Sequence, residues 1–294
     1  MPTQDDNAAY DHPTIAVAEG SGVCFGVRRA LELAEKALAE GQPVCCLGPL
    51  IHNPQEVARL AAKGFRVIDS LEQAGEHGTL LIRSHGLQPA IVAQAQHRGM
   101  KIIDATCPLV RRVHTLAAEL VNAGYRVVVA GDAAHPEVRA IQGHAPSAIV
   151  VGDLEAVRRL DLSGRVALVA QTTFSPEEFR QMAAELVLRD LQEVRVINTI
   201  CAATVDRQRA AAELAGRVDV MFVIGGRNSA NTNRLADLCA SRGVTTYHVE
   251  QADEVKPEHL RGRRRVGVVA GASTPQWIID AACARIRLLQ SGGG

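Results

Sequence analysis

Aromatic residues are scarce in this 294-residue sequence: one Trp, three Tyr and five Phe, 3% of the whole. So few rings leave no series of stacking platforms, which argues against a single-strand nucleic-acid binder. Neither sign of charge dominates, with 32 Lys and Arg against 32 Asp and Glu. A protein that coats nucleic acid or an anionic membrane surface needs a cationic excess that this chain lacks. No apolar run reaches the ~20 residues of a membrane span. Residues 1–11 are polar and acidic, with no basic stretch leading into an apolar one, so no signal peptide is expected and the expected location is cytoplasmic. The seven cysteines include no C-x-x-C pair. An odd number without an expected secretory leader argues against a disulfide framework, and any metal ligands must converge from far apart in sequence.

What remains is a globular composition, 47% hydrophobic and 22% charged, long enough for two or three compact units. Those units repeat. Thr14-Ile-Ala-Val leads through a small-residue loop to Cys24, and a helical run with Arg28 and Arg29 follows. Lys101-Ile-Ile-Asp leads to Cys107, followed by Arg111 and Arg112, and Val194-Arg-Val-Ile leads to Cys201, followed by Arg207. Each is a short strand, a loop, a cysteine and an amphipathic helix.

A second beat is a near-continuous apolar strand ending in Gly and a polar loop: Gly48 before His52-Asn53, Gly131 before His135-Pro-Glu137, and Gly225 before Asn228-Ser-Ala-Asn231. A third ends in Ser84-His85-Gly86, Gln171-Thr172-Thr173 and Gly271-Ala-Ser273-Thr274. Continuous apolar strands alternating with helices indicate parallel sheets covered on both faces. The expected fold is therefore α/β: three similar units with parallel sheets in a pseudo-threefold trefoil around a central site. The divisions fall at 13–107 (Cys24, His52, His85), 108–197 (Cys107 at its start, His135, Glu137, Thr172) and 198–294 (Cys201, Ser229, Asn231, Ser273). Residues 1–12 read as a loose tail. The first strand and Cys24 are candidates to be lent to the third unit.

Helix N-termini carry partial positive charge and unpaired N–H groups, which suit anionic sulfur. Three such sulfurs leave a fourth metal position open, as catalytic sites do. An iron–sulfur cluster with one iron lacking a protein ligand fits this donor set, with zinc as the alternative. Cys45 and Cys46 lie in a strand and Cys239 and Cys283 in helices, where burial explains them. The loop residues His52, His85, His135, Thr172, Ser229, Asn231 and Ser273 are neutral or cationic donors suited to a phosphate or diphosphate, unless Ser229 and Ser273 simply cap helices. Glu137, the one carboxylate in these inner loops, is a candidate proton donor.

Together these motifs resemble the IspH/LytB family of 4-hydroxy-3-methylbut-2-enyl diphosphate reductases, in order from about Ile15 to Ile279. The resemblance implies a trefoil of α/β units around a 4Fe-4S cluster, held by Cys24, Cys107 and Cys201, with one iron not ligated by protein. It implies a two-electron, two-proton removal of an allylic hydroxyl as water, giving isopentenyl and dimethylallyl diphosphate at the end of the methylerythritol phosphate route. It assigns the diphosphate to His52, His85, His135, Ser229, Asn231 and Ser273, catalytic roles to Glu137 (proton delivery), Thr172 (the substrate hydroxyl) and His135, and electron supply to ferredoxin or flavodoxin. Ala230 stands where many relatives carry a second serine, leaving only a backbone N–H for the diphosphate, and Val23 replaces a common phenylalanine. Alternatives are a quinolinate-synthase-type lyase, a non-enzymatic iron–sulfur sensor and a zinc phosphate hydrolase. The lyase would need arginines for a dicarboxylate, and Arg227 is the main one in the inner loops.

Overall fold

The structure, a computed structural model, describes residues 14–41, 43–75 and 78–291. The tail expected at 1–12 and the terminal glycines at 292–294 lie outside the described residues. In chain order the first third holds β1 (Thr14–Val17), α1 (Phe25–Ala39), β2 (Val44–Leu47), α2 (Pro54–Ala61), β3 (Phe65–Ile68), β4 (Thr79–Ile82), α3 (Pro89–His97) and β5 (Lys101–Asp104). The middle holds α4 (Pro108–Asn122), β6 (Arg126–Ala130), α5 (Pro136–His144), β7 (Ile149–Val151), α6 (Leu154–Arg158), β8 (Arg165–Ala170), α7 (Pro176–Val187) and β9 (Glu193–Val196). The last third holds α8 (Ala202–Ala215), β10 (Val220–Ile224), α9 (Ala230–Ser241), β11 (Thr245–Val249), α10 (Pro257–Leu260), β12 (Arg265–Ala270) and α11 (Gln276–Ser291).

The strands make three four-stranded sheets, ordered β1-β12-β10-β11, β3-β2-β4-β5 and β7-β6-β8-β9. All nine strand pairings among the described residues are parallel, as continuous apolar strands require. Each sheet ends in an edge strand, β3, β7 or β11, that the three-beat pattern does not include. Their sequences are shorter or mix polar with apolar residues, because an edge needs no apolar cover on both faces. The first strand joins the last sheet: β1 pairs with β12 from Thr14↔Arg265 to Val17↔Val268.

By compactness the described chain forms two units, one of residues 14–24, 52–54 and 203–291, the other of 25–51 and 55–202. In the first, Val220, Phe222 and Ile224 of β10 pack with Ile278, Ile279 and Ile286 of α11. The alternate residues Met221 and Val223 pack with Ala211 and Leu214 of α8 and Leu235 of α9. In the second unit Leu168 and Ala170 of β8 meet Phe179, Met182 and Leu186 of α7. Ala167 and Val169 meet Val113, Ala117 and Leu120 of α4. The period of two sends successive side chains to opposite faces, so each central strand is buried twice over. Full burial of such side chains is worth about 1.5–3 kcal/mol each, which rigidly fixes the strand ends where the polar motifs emerge.

Candidate active site

The three cysteines share one structural step. Cys24, Cys107 and Cys201 immediately precede the first residues of α1, α4 and α8. The N–H of Cys24 donates to the Ala272 carbonyl, that of Cys107 to Ser84 and that of Cys201 to Thr172, each at 3.0 Å. Each acceptor lies just past the strand beside the cysteine's own, namely β12, β4 and β8. One repeated hydrogen bond thus ties each cysteine to the loop that carries Ser273, His85 or Thr172. The three sulfur-bearing residues are partly exposed, whereas Cys45, Cys46, Cys239 and Cys283 are buried. Burial pushes the Cys46 thiol up to about 12 and the Cys239 thiol up to about 11, consistent with inert packing roles for these two.

In the unit of residues 25–51 and 55–202 the centre is Glu137, in the first turn of α5 and 1% exposed. Its carboxylate accepts from the Thr172 backbone N–H at 2.6 Å and from the Thr172 hydroxyl at 2.8 Å. Burial lifts its pKa to about 7, against the lowering effect of both Thr172 hydrogen bonds. A carboxyl group near neutrality can hold a proton and release it at working pH. Gly131 makes the geometry possible: a Cβ there would sit 2.8 Å from Val138 Cγ2 and 3.0 Å from Gln171 Cβ. Its absence lets α5 close onto the ends of β6 and β8.

His135 is the N-cap of α5, and its Nδ1 accepts from the Glu137 N–H at 3.2 Å. A neutral ring that accepts at Nδ1 carries its proton on Nε2. The rings of His85 and His135 lie edge to face, with centroids 5.2 Å apart.

In the other unit, Ser229 caps α9, its hydroxyl accepting from the Thr232 N–H at 3.4 Å. Ser273 does not cap: its hydroxyl donates to the His52 carbonyl at 3.1 Å. A Cβ on Gly226 would lie 2.6 Å from that same carbonyl, so the His52 loop rests on bare backbone. Asn231 is 6% exposed, and its buried Nδ2 has no hydrogen-bond partner among the described residues. A buried amide donor left open costs about 1–3 kcal/mol, a cost that an acceptor from outside would relieve. Ala230 opens α9, placing a backbone N–H at a helix start where anions bind.

Two arginines of the repeated helices take contacts that the motif pattern does not reveal. Arg207 is 3% exposed, and its guanidinium donates to the carbonyls of Gly20 at 2.9 Å and Gly22 at 3.1 Å, clamping the loop to Cys24. Its position in the third repeated helix was visible in sequence, but its target lies in the distant first loop. Arg29 of α1 reaches the carbonyls of Thr106 at 3.3 Å and Asp104 at 3.2 Å, on the approach to Cys107. Arg227, the arginine a dicarboxylate lyase would recruit, is instead committed: it pairs with Glu250 at 3.0 Å and with Glu254. The Arg261–Arg265 run is partly committed too, since Arg265 pairs with Asp219 at 2.7 Å and holds that carboxyl down at about 2. Among the described residues no helix is long and apolar enough to cross a membrane.

The profile of the LytB protein family matches residues 15–287. The chain belongs to this family. A relative from Aquifex aeolicus (strain VF5), named 4-hydroxy-3-methylbut-2-enyl diphosphate reductase, is 46% identical over 284 residues, covering 95% of this chain and 97% of the relative. The Geobacter sulfurreducens (strain ATCC 51573 / DSM 12127 / PCA) relative of the same name is 46% identical over 274 residues, covering 93% and 96%. A solved structure described as that reductase, the terminal enzyme of the non-mevalonate pathway, is 45% identical with a TM-score of 0.70, covering 94% of this chain and 99% of that one. The reductase from Plasmodium falciparum, at 24% identity and a TM-score of 0.87, covers 94% and 88% and shares the fold.

Proposed function

We propose that this chain is a 4-hydroxy-3-methylbut-2-enyl diphosphate reductase, acting in the last step of the methylerythritol phosphate route. The observation that carries the reading is the buried Glu137–Thr172 pair, a proton store set beside the Cys201 strand end. Family membership supplies the substrate. The reaction consumes two electrons and two protons, breaks the allylic C–O bond, and releases water with isopentenyl or dimethylallyl diphosphate.

Cys24, Cys107 and Cys201 are proposed to hold a 4Fe-4S cluster with one iron lacking a protein ligand. The donor set fits: three partly exposed cysteines, each at a helix start on the same hydrogen-bonded step. When bound, such a cluster supplies the electrons and a Lewis-acidic iron. The threefold division at 107 and 197 is part of this proposal, supported by three sheets of like strand order, with β1 joined to the third.

The protein's own residues do the rest. His52, His85, His135, Ser229, Asn231, Ser273 and the Ala230 backbone N–H are proposed to bind the diphosphate. His135 offers its Nε2–H and Asn231 its open Nδ2. Binding energy taken from the diphosphate fixes the allylic end, which lowers the barrier of the later step. Thr172 positions the substrate hydroxyl and holds the Glu137 carboxyl. Glu137, protonated near neutral pH, delivers the proton that turns hydroxide, a poor leaving group, into water. Electrons are proposed to come from a reduced small carrier such as ferredoxin or flavodoxin.

Iron and sulfide analysis of anaerobically purified protein tests the cofactor assignment. The wild type should hold about four irons per chain. Cys24→Ser, Cys107→Ser and Cys201→Ser should each lose them, while Cys45→Ser and Cys239→Ser keep them. Zinc in place of iron would overturn the assignment.

A further inference from the structure

Gly26 sits in the first turn of α1, two residues after Cys24, and is buried. Its backbone does not require glycine, since it is absent from the positive-φ residues of the chain. On helix propensity alone alanine is favoured there. Nor does the repeated cysteine-to-helix step require it: the equivalent positions after Cys107 and Cys201 are Leu109 and Ala203. The neighbour explains the residue. A Cβ on Gly26 would lie 2.7 Å from Cys107 Sγ and 2.9 Å from Cys107 Cβ.

The two contacts differ in consequence. Rotation about the Cys107 Cα–Cβ bond moves the sulfur away but leaves Cβ in place. A side chain at position 26 therefore forces either the α4 cap or the first turn of α1 to retreat. Arg29, one turn further along α1, opposes that retreat through its hydrogen bonds to Asp104 and Thr106. Position 26 is thus the floor on which the Cys107 sulfur rests, and Arg29 the strap that presses α4's approach onto it.

We propose that Gly26 is a positioning residue for the cofactor. Its missing side chain sets where the Cys107 sulfur stands relative to the helix that follows Cys24. The inference rests on Cys107 being a cluster ligand. It also predicts an effect that does not depend on the cluster, because the clash exists between two residues of the bare chain.

The experiment compares wild type and Gly26→Ala, each with Cys107 intact or replaced by Gly, which removes both clashing atoms. With Cys107 intact, Gly26→Ala should lower the Tm of the apoprotein and at least halve the bound iron, with an altered electron paramagnetic resonance signal. In the Cys107→Gly background the same substitution should leave the Tm unchanged or raised, as helix propensity alone dictates. This non-additivity isolates the pair. If Gly26→Ala fails to fold with Cys107 present, recovery of folding in the Cys107→Gly background supports the proposal equally. A Gly26→Ala protein with wild-type Tm, iron content and spectrum overturns it, as does an equal loss in both backgrounds. Absence of iron from the wild type itself would instead refute the cluster assignment, and the apoprotein cycle would still decide the role of Gly26.

Discussion

Replacing Thr172 by valine removes one hydrogen bond from Glu137 and leaves the other, because the backbone N–H at 2.6 Å survives. Burial raises the Glu137 pKa to about 7 and both Thr172 hydrogen bonds pull it down. A hydrogen bond to a charged group is worth ~1.5–3 kcal/mol and one pKa unit about 1.4 kcal/mol. Loss of the hydroxyl bond therefore raises the Glu137 pKa by ~1–2 units. In the proposed role turnover needs the protonated acid, so the rate falls as pH rises through that pKa. The descending limb should move from near 7 in the wild type to ~8–9 in Thr172→Val. The assay is anaerobic kcat against pH with a chemical reductant, which bypasses any protein electron donor. The rate itself will also drop, since Thr172 is assigned to the substrate hydroxyl, but the test reads the position of the limb and not its height. A limb that stays put or moves to lower pH would refute the proton-store reasoning.

Further expectations follow from the same geometry. Glu137→Gln should keep the bound iron and lose ~10²–10⁴-fold in kcat. Because the folded pKa of Glu137 lies above its unfolded value of about 4.5, the native state binds the proton more tightly. Stability from this group is then full at low pH and falls between about 4.5 and 7, so Glu137→Gln should be the more stable protein at pH 8 by ~3 kcal/mol in urea unfolding. Asn231→Leu removes a buried donor with no partner among the described residues; unfolding midpoints should be unchanged or raised, while diphosphate binding by calorimetry weakens ~10–100-fold. Arg207→Met should destabilise the fold by ~3 kcal/mol in denaturant unfolding, through loss of two charge-assisted bonds to the Gly20 and Gly22 carbonyls. Wild-type stability in that variant would remove the clamp.

Much of this arrangement is legible in the sequence because strand periodicity and strand-end residues are local signals. The apolar runs at Val220–Ile224 and Arg165–Ala170 lie in the middle of parallel sheets, and Cys45, Cys46, Cys239 and Cys283 are buried there or in helices as expected. The edge strands were less legible, since Phe65-Arg-Val-Ile68 alternates weakly and Ile149–Val151 is only three residues long. Tertiary clearances were not legible at all. Gly26 and Gly131 look like ordinary small residues, and only their neighbours Cys107, Val138 and Gln171 reveal why no Cβ fits. The hydroxyl of Ser273 could have capped a helix; its bond to the His52 carbonyl joins positions 221 residues apart, a pairing that no local pattern encodes.

The most direct measurement is turnover of the hydroxy-allylic diphosphate by anaerobically purified wild-type protein, with a viologen-mediated chemical reductant and mass-spectrometric product analysis. The account predicts consumption of substrate with release of both isopentenyl and dimethylallyl diphosphate, and little of either from Glu137→Gln at equal iron content. Full iron content with no conversion of substrate would contradict it.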